Sequence, residues 1–277
     1  MIALDPRLQT NRLAWDERAT IHAGGAYPVE AFKAGRVEGI TPLPDDLGEV
    51  PGKSLLHLQC HIGLDTLTWA RRGARVTGVD FSPVALREAQ NLADELGLYA
   101  TFVASDIAEL PGVLAGEFDI VLTYYGTITR LPDLTAWART IHHFLKPGGF
   151  LHLADTHPFA AILEAPKGGR RPEPAYDYFN GGKSLRIESA GGTSADPSAA
   201  TAHRVTYQWL HPLQEVLGSL LDAGLRLDYL HEFPFTFYNL YYYENEHLMR
   251  QDEDGWWHPV DSPNRLPLMF SVKASKE

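Results

Sequence analysis

The residues best suited to binding a ligand are one glycine and two aspartates, each at the end of an apolar run. Gly63 ends the stretch LLHLQCHIG, Asp80 ends ARVTGVD and Asp106 ends ATFVASD. Asp80 follows Gly63 at close to the roughly 20-residue offset at which an acidic side chain binds ribose hydroxyls, and it can accept from both oxygens of a diol. Asp106 can accept from an adenine amino group while Ile107 packs on the ring. The pattern predicts a site for an adenosine-bearing cofactor.

The segments that must position these residues alternate between strand-like and helix-like patterns from Ser54 to Asp155. This alternation predicts an α/β fold with a doubly wound, mainly parallel sheet and helices on both faces. In that fold ligands lie across the carboxyl ends of the strands where the strand order reverses, so the three residues are expected to converge. Ser82 and Pro83 are typical of a helix start and Gly97 of its end. A second helix is predicted from Asp133 to Lys146.

The chain changes character beyond these segments. Residues Thr156 to Arg204 are rich in Gly, Pro, Ser and Ala, and loops of this length are usually functional lids or disordered. A helix ending at Gly224 follows, then strands from Leu225 to Glu232 and from Leu266 to Lys273, which are predicted to pair antiparallel because no helix separates them. We expect one domain over 1–277, made of an N-terminal helical cap (1–50), a cofactor-binding core (51–155), an insertion or lid (156–210) and a C-terminal helix with antiparallel strands (211–277).

Composition limits the classes of function. The 277 residues carry a net charge of −11, are 44% hydrophobic and 21% charged, and include one cysteine. The negative charge argues against nucleic acid as a partner, because nucleic-acid affinity comes largely from Lys and Arg on phosphates. The sequence shows no signal peptide, no membrane span and no metal-binding motif. With a lone cysteine, a reducing cytoplasm is the expected location, and the protein is expected to be a monomer or homodimer.

The order of the motifs resembles that of the class I S-adenosylmethionine-dependent methyltransferases. LLHLQCHIG aligns without a gap with the family's usual first motif, VLDLGCGTG. Cys60 and Gly63 match, His57 takes the place of the usual acid, and Gln59 and His61 replace two glycines. LDTLTWARRGARVTGVDFS and LKPGG agree with a subset of uncharacterised bacterial small-molecule methyltransferases. The resemblance implies S-adenosylmethionine as cofactor and a Rossmann-like sheet of seven strands, the last one antiparallel.

Carried over position by position, the resemblance also implies the residues that contact the cofactor. They are Gln59, Cys60, His61 and Gly63 at the methionine end, Asp80 on the ribose, Phe81, Asp106 and Ile107 at the adenine, and Thr123 and Tyr124 near the sulfonium. The N-terminal stretch LAWDERATIHAGGAYP resembles an arm that closes over the cofactor, where Trp15 or His22 can touch the ligand. Gln59 and His61 can hydrogen-bond the methionine carboxylate. His57 and His61 remain open between interior and ligand-binding roles.

The implied reaction is in-line methyl transfer from the sulfonium to an oxygen or nitrogen of a small molecule. An activated donor mainly requires alignment, which can supply several kcal/mol, and the aromatic faces of Tyr124 and Tyr125 can favour the positive sulfur. His157 is the first candidate for a general base, followed by Asp155 and His211. The aromatic residues expected to wall the acceptor pocket are Tyr176, Tyr178, Phe179, Trp209, Phe235, Tyr238 and Tyr241 to Tyr243.

Two other functions stay open at this point. The glycines replaced by Gln59 and His61 would suit a degenerate, cofactor-binding regulatory subunit. The spacing of Asp80 would also suit a nicotinamide-dependent oxidoreductase that uses NAD or NADP. The loss of glycines disfavours the latter, because a pyrophosphate needs closer backbone approach than a methionine moiety.

Overall fold

The computed structural model describes residues 5–39, 47–165, 169, 171–189, 191–193, 195–241, 246–261 and 264–277. The helices are α1 (Pro6–Ile21), α2 (Val29–Lys33), α3 (Leu64–Arg71), α4 (Pro83–Leu96), α5 (Leu134–Phe144) and α6 (Leu213–Asp222). The strands are β1 (Ser54–Leu58), β2 (Arg75–Asp80), β3 (Ala100–Ala104), β4 (Phe118–Tyr124), β5 (Leu145–Thr156), β6 (Leu163–Glu164), β7 (Glu173–Pro174), β8 (Ser184–Glu188), β9 (Val205–Trp209), β10 (Arg226–Phe233), β11 (Met249–Gln251), β12 (Trp257–Pro259) and β13 (Met269–Ser275). None of the described helices is both long and apolar enough to cross a bilayer.

Seven strands form the central sheet in the order β10-β13-β5-β4-β1-β2-β3. All neighbours are parallel except β13, which is antiparallel to both β5 and β10. The predicted fold, including the single antiparallel strand, is confirmed. The strand order reverses at β1, which lies between β2 and β4, so the carboxyl end of β1 is where a ligand is expected.

The helix ends follow the chemistry of their capping residues. The Ser82 hydroxyl accepts a hydrogen bond from the Ala85 N–H at 3.0 Å, and Gly97 ends α4 in the left-handed conformation at φ 62°. The helix predicted to reach Lys146 ends two residues earlier, because Leu145 is buried and already pairs with Phe118 as the first residue of β5. The two predicted C-terminal strands are present, shifted by one to three residues.

The sheet separates two layers of buried apolar side chains. Leu56 and Leu58 of β1 face the layer under α5 and α6, together with Ile141 and Phe144. Leu55 faces the opposite layer, which contains Trp69 of α3. This alternation is the period of two expected of a strand covered on both faces, and it places the His57 side chain on the same face as that of Leu55.

The stretch after β5 is more regular than the sequence suggested. It contains the antiparallel pair β8–β9, which runs from Ser184 opposite Trp209 to Glu188 opposite Val205. This hairpin is tied to α1, since the Asn11 side chain donates to the Tyr207 carbonyl at 2.8 Å and accepts from its N–H at 2.7 Å. The prediction of a loop is therefore corrected for this part of the insertion, because it forms a short hairpin despite its high content of Gly and Pro.

Candidate cofactor site

A cavity of about 620 Å³ lies over the carboxyl ends of the parallel strands. Its volume falls in the range of about 300–1,000 Å³ typical of small-molecule sites. The structure brings nine of the predicted cofactor residues to its wall, namely Trp15, Gln59, Cys60, His61, Asp80, Phe81, Asp106, Ile107 and Tyr124. Gly63 and Thr123 lie behind that wall: Gly63 begins α3, and Thr123 is fully buried within β4.

The turn between β1 and α3 keeps the backbone of a glycine-rich loop although two glycines are replaced. Gln59 and His61 have φ values of 56° and 51°, and Gly63 has φ 74°. A side chain in this left-handed region costs roughly 1–2 kcal/mol per residue. The conformation therefore persists because the surrounding contacts hold it, and such strain is concentrated at functional sites.

Asp80 is one of the groups that hold the turn. Its Oδ2 accepts the His61 N–H and its Oδ1 accepts the Ser82 N–H, each at 2.9 Å. Burial outweighs these two donors and raises the pKa of Asp80 to about 6. Each carboxylate oxygen can accept more than one hydrogen bond, so the ionised side chain can also accept from a ligand in the cavity.

The side chains of Gln59 and His61 fasten the turn to other segments. The Gln59 amide donates to the Thr127 carbonyl at 3.2 Å. The His61 Nε2 lies 2.8 Å from the His22 Nδ1, and its ring meets those of Trp15 and Tyr27 edge-on. Burial, followed by the charge of its neighbours, lowers the pKa of His61 well below its usual value. One of the two ring nitrogens of His61 is thus used within the protein, and its role as a donor to the methionine carboxylate stays a prediction.

Asp106 and Ile107 follow β3 at the far end of the cavity. The Asp106 Oδ1 accepts the Ala108 N–H at 2.9 Å, and burial raises the pKa of this carboxyl group. Ile107 is buried and joins the apolar layer under α5. Phe81 follows Asp80 directly and lines the same wall. These three residues therefore lie together where the adenine was predicted to bind.

Asp155 supports the segment that follows β4. Its carboxylate accepts hydrogen bonds at 2.6–3.0 Å from the backbone N–H groups of Gly126, Thr127, Ile128 and Thr156 and from the Thr127 hydroxyl. The residue is 1% exposed. These contacts use the Asp155 carboxylate to hold the segment after β4, and Asp155 does not line the cavity. Its role as a general base stays a prediction.

The two histidines predicted as bases also point away from the cavity. The His157 Nδ1 accepts the Phe159 N–H at 3.1 Å, and its Nε2 lies 3.0 Å from a Glu232 carboxylate oxygen. The His211 Nε2 donates to the Leu131 carbonyl at 2.8 Å. Among the described residues that line the cavity, none is His157, His211 or Asp155. Both rings are held by protein partners and neither lines the cavity. Their role as general bases stays a prediction.

The residues that sequence reasoning missed in the wall include Arg130, and it left His57 undecided. Both line the cavity, and burial lowers the pKa of His57 to about 4, so its ring is neutral at pH 7. Position alone could have drawn attention to Arg130, which follows the fourth strand of a fold that binds ligands at strand ends. Among the described residues, no group of three or more His, Cys, Asp or Glu side chains is placed to hold a metal ion.

The aromatic residues of the wall differ largely from those predicted. Tyr125, Trp137, Phe237, Tyr238 and Trp257 line the cavity. Of the residues predicted for the acceptor pocket, Tyr238 is in this lining, Tyr242 and Tyr243 lie outside the described residues, and the others do not line the cavity: Tyr176, Tyr178, Phe179, Trp209, Phe235 and Tyr241. Spacing in the sequence could not separate the aromatic residues that line the cavity from those that do not, because aromatic side chains serve both core packing and ligand contact.

The Cys60 thiol is expected to be unreactive in the folded protein. It is 5% exposed, and burial together with the nearby Asp80 charge raises its pKa well above the usual value. Since the thiolate is the reactive species, titration with Ellman's reagent at pH 7.5 should release no thionitrobenzoate from the native chain and one equivalent in guanidinium chloride. Rapid stoichiometric reaction of the native protein would contradict this placement.

Comparison with known proteins places this site in a family. Residues 55–149 match a family model described as "Methyltransferase domain". A ubiquinone biosynthesis O-methyltransferase of Xanthomonas axonopodis pv. citri is 34% identical over 131 residues, which cover 47% of this chain and 53% of the relative. An uncharacterized methyltransferase of Synechocystis sp. is 36% identical over 128 residues, covering 46% of this chain and 58% of the relative. The chain thus spans about half the length of these relatives.

The fold comparison covers more of the chain. The structure of an S-adenosylmethionine-dependent methyltransferase from Mesorhizobium loti matches with a TM-score of 0.56 and 21% identity, over 89% of this chain and 96% of the other. At this identity the likeness shows the fold, and the family model adds a sequence match over residues 55–149. Residues 55–149 therefore match the methyltransferase family, and the chain has the fold of S-adenosylmethionine-dependent methyltransferases.

Proposed function

We propose that this protein transfers the methyl group of S-adenosylmethionine to an oxygen or nitrogen of a small-molecule acceptor. The observation that carries the proposal is the turn from Gln59 to Gly63, which keeps a left-handed backbone and is bonded to Asp80 at the wall of a large cavity. A fold that had lost its cofactor would have no reason to retain this strained turn. The family match of residues 55–149 also favours methyl transfer over the nicotinamide-dependent alternative.

The residues in the wall suit each part of the cofactor. We place the ribose diol on Asp80, the adenine beside Phe81, Asp106 and Ile107, and the sulfonium near Tyr124. The Gln59 Oε1 is buried and has no hydrogen-bond partner among the described residues, which is the environment that would accept a methionine ammonium group. Cys60 and His61 form the wall at this end, Gly63 and Thr123 support it from behind, and Trp15 closes it from α1.

Methyl transfer in this cavity would depend mainly on alignment. The sulfonium supplies an activated methyl group, so the chain's task is to orient the acceptor and exclude water. Tyr124 and Tyr125 stack with ring centroids 5.2 Å apart and present aromatic faces to the cavity. His57 is a poor base at neutral pH because its pKa is about 4. We therefore assign His57 a hydrogen-bonding role and propose transfer without a dedicated general base.

The segments on either side of the core are proposed to cover the cofactor together. The Glu17 carboxylate of α1 accepts the N–H groups of Ala202 and His203 at 2.7 and 2.9 Å, and the Arg7 guanidinium donates to the Ser184 hydroxyl at 3.1 Å. These bonds add to the Asn11 pair described above. We propose that residues 1–50 and 156–210 act as one cover on the core (51–155), and that 211–277 completes a single domain.

Calorimetric titration with S-adenosylhomocysteine tests the proposed function directly. The purified chain should bind this ligand and should bind it more tightly than NAD or NADP. A mass-shift screen of a metabolite library should then identify an acceptor that gains one methyl group. Absence of S-adenosylhomocysteine binding would overturn the proposal. Binding without methyl transfer to any acceptor would instead support the regulatory alternative.

Binding of S-adenosylhomocysteine should weaken as the pH falls through about 6. The raised pKa of Asp80 means that its carboxylate is protonated below that value, and a protonated acid loses its charged acceptor for the ribose hydroxyls. With a pKa of about 6, the ionised fraction drops by about tenfold between pH 7 and pH 5, and the affinity should drop with it. Titrations at pH 5, 6, 7 and 8 would show this, and a constant affinity across the series would contradict it.

A further inference from the structure

Arg130 is a partly buried cation in the cavity wall. It ends the short 3-10 turn Ile128–Arg130 that follows β4. Its Nε and Nη1 atoms are buried and have no hydrogen-bond partner among the described residues. Burial lowers the pKa of Arg130 only to about 10, so the guanidinium is charged at pH 7. A buried charge without hydrogen-bond partners is costly, and a bound anion would remove that cost.

The surrounding chain supplies little compensation for this charge. Asp155, whose charge acts on Arg130, already accepts the five hydrogen bonds described above. Arg18 of α1 adds a like charge that also lowers the Arg130 pKa. The two guanidinium groups lie 5.2 Å (Arg18) and 5.5 Å (Arg130) from the centroid of the Trp15 ring. Two guanidinium groups thus flank the Trp15 ring, and one of them, that of Arg130, lines the cavity.

The position of Arg130 assigns it to the acceptor half of the cavity. The cofactor residues Asp80 and Asp106 follow β2 and β3, on one side of β1, whereas Arg130 follows β4 on the other side. Tyr238 acts electrostatically on Arg130, and its neighbour Phe237 packs against Tyr125 with ring centroids 4.5 Å apart. The cation of Arg130 and several aromatic side chains therefore lie in the same half of the wall.

We propose that Arg130 binds the carboxylate of the methyl acceptor, so that the substrates are aromatic or similarly flat carboxylic acids. This inference rests on the proposed methyl transfer. A guanidinium matches a carboxylate through two parallel N–H···O bonds, made by Nη2 together with either Nε or Nη1. Both Nε and Nη1 of Arg130 lack a hydrogen-bond partner among the described residues, so each of these two edges has an N–H group left for such a contact. The aromatic residues beside it would bind the flat body of the acid and leave its nucleophile toward the sulfonium.

A pair of probes that differ only in charge tests the inference. We expect 2-naphthoate to bind the wild-type protein, saturated with S-adenosylhomocysteine, at least tenfold more tightly than 2-naphthamide. Arg130→Gln should abolish that preference, and Arg130→Lys should retain part of it because the charge remains. Arg139→Gln is the matched control, since Arg139 is exposed on α5 and does not line the cavity. Calorimetry gives the affinities, and thermal melting shows that each variant is folded.

Two results would overturn the inference. The first is equal binding of the acid and the amide by the wild-type protein, or a preference that survives in Arg130→Gln. The second is a loss of S-adenosylhomocysteine affinity in Arg130→Gln with unchanged affinity for 5′-methylthioadenosine, which would place the cofactor's own carboxylate on Arg130. Failure of the wild-type protein to bind S-adenosylhomocysteine would count against the proposed function itself, and the naphthoate comparison, repeated without that ligand, would still report on Arg130.

Discussion

Asp80→Asn is expected to weaken S-adenosylhomocysteine binding by about 10- to 100-fold, the equivalent of one hydrogen bond of about 1.5–3 kcal/mol to a charged group. The amide is neutral and can present only one acceptor oxygen. In the native site both oxygens accept backbone N–H groups, from His61 and Ser82. The asparagine NH₂ group must therefore face one of these donors, which also loosens the turn. Calorimetric titration at pH 7.5 measures the change in affinity.

Asp94→Asn provides the control for this substitution. Asp94 is exposed on α4, and its carboxylate accepts the Gln90 amide four residues earlier at 2.8 Å. Its replacement removes the same charge from the same part of the chain and should leave the affinity within about twofold, since exposed pairs contribute little. The pH dependence expected for the wild-type protein should be much smaller in Asp80→Asn. Equal affinities of the two variants would show that Asp80 does not contact the ligand.

The fold could be predicted because local signals agreed with one another. Apolar runs marked the strands, and Ser82 and Gly97 marked the ends of α4 before any contact was known. The left-handed turn was harder to predict, because Gln59 and His61 rarely adopt positive φ values. Its conformation depends on contacts distant in sequence, such as the bond from His61 to Asp80. Such contacts are invisible to spacing arguments.

The candidate site residues also divide into those that the sequence predicts and those that only tertiary contacts reveal. Residues at strand ends, such as Asp80 and Asp106, were found because the fold itself brings strand ends together. The role of Asp155 as a general base stays a prediction, and residue type could not show that five donors surround its carboxylate. Arg130 was missed because an isolated arginine is usually solvated. Only the packing of Trp15 and of the segment after β4 shows that its Nε and Nη1 atoms are buried.

The second large effect is expected for Gly63→Ala, which should destabilise the fold by about 2–5 kcal/mol. Gly63 has φ 74°, and a Cβ there would lie 2.8 Å from the Ala89 Cβ and 3.2 Å from the Phe102 ring. The left-handed backbone costs an alanine roughly 1–2 kcal/mol, and overpacking between α3, α4 and β3 adds typically 1–3 kcal/mol. Urea denaturation followed by circular dichroism gives the free energy of unfolding.

Gly97→Ala separates the two causes of that loss. Gly97 has a similar φ of 62°, but nothing lies within 4 Å of the position its Cβ would take. Gly97→Ala should therefore show the backbone cost alone, about 1–2 kcal/mol, and the difference between the variants measures the crowding at the start of α3. Because Gly63 ends the turn that carries Gln59 and His61, its variant should also bind S-adenosylhomocysteine less tightly, whereas Gly97→Ala should not. Equal losses of stability would mean that the close approach of α3 to α4 can relax without cost.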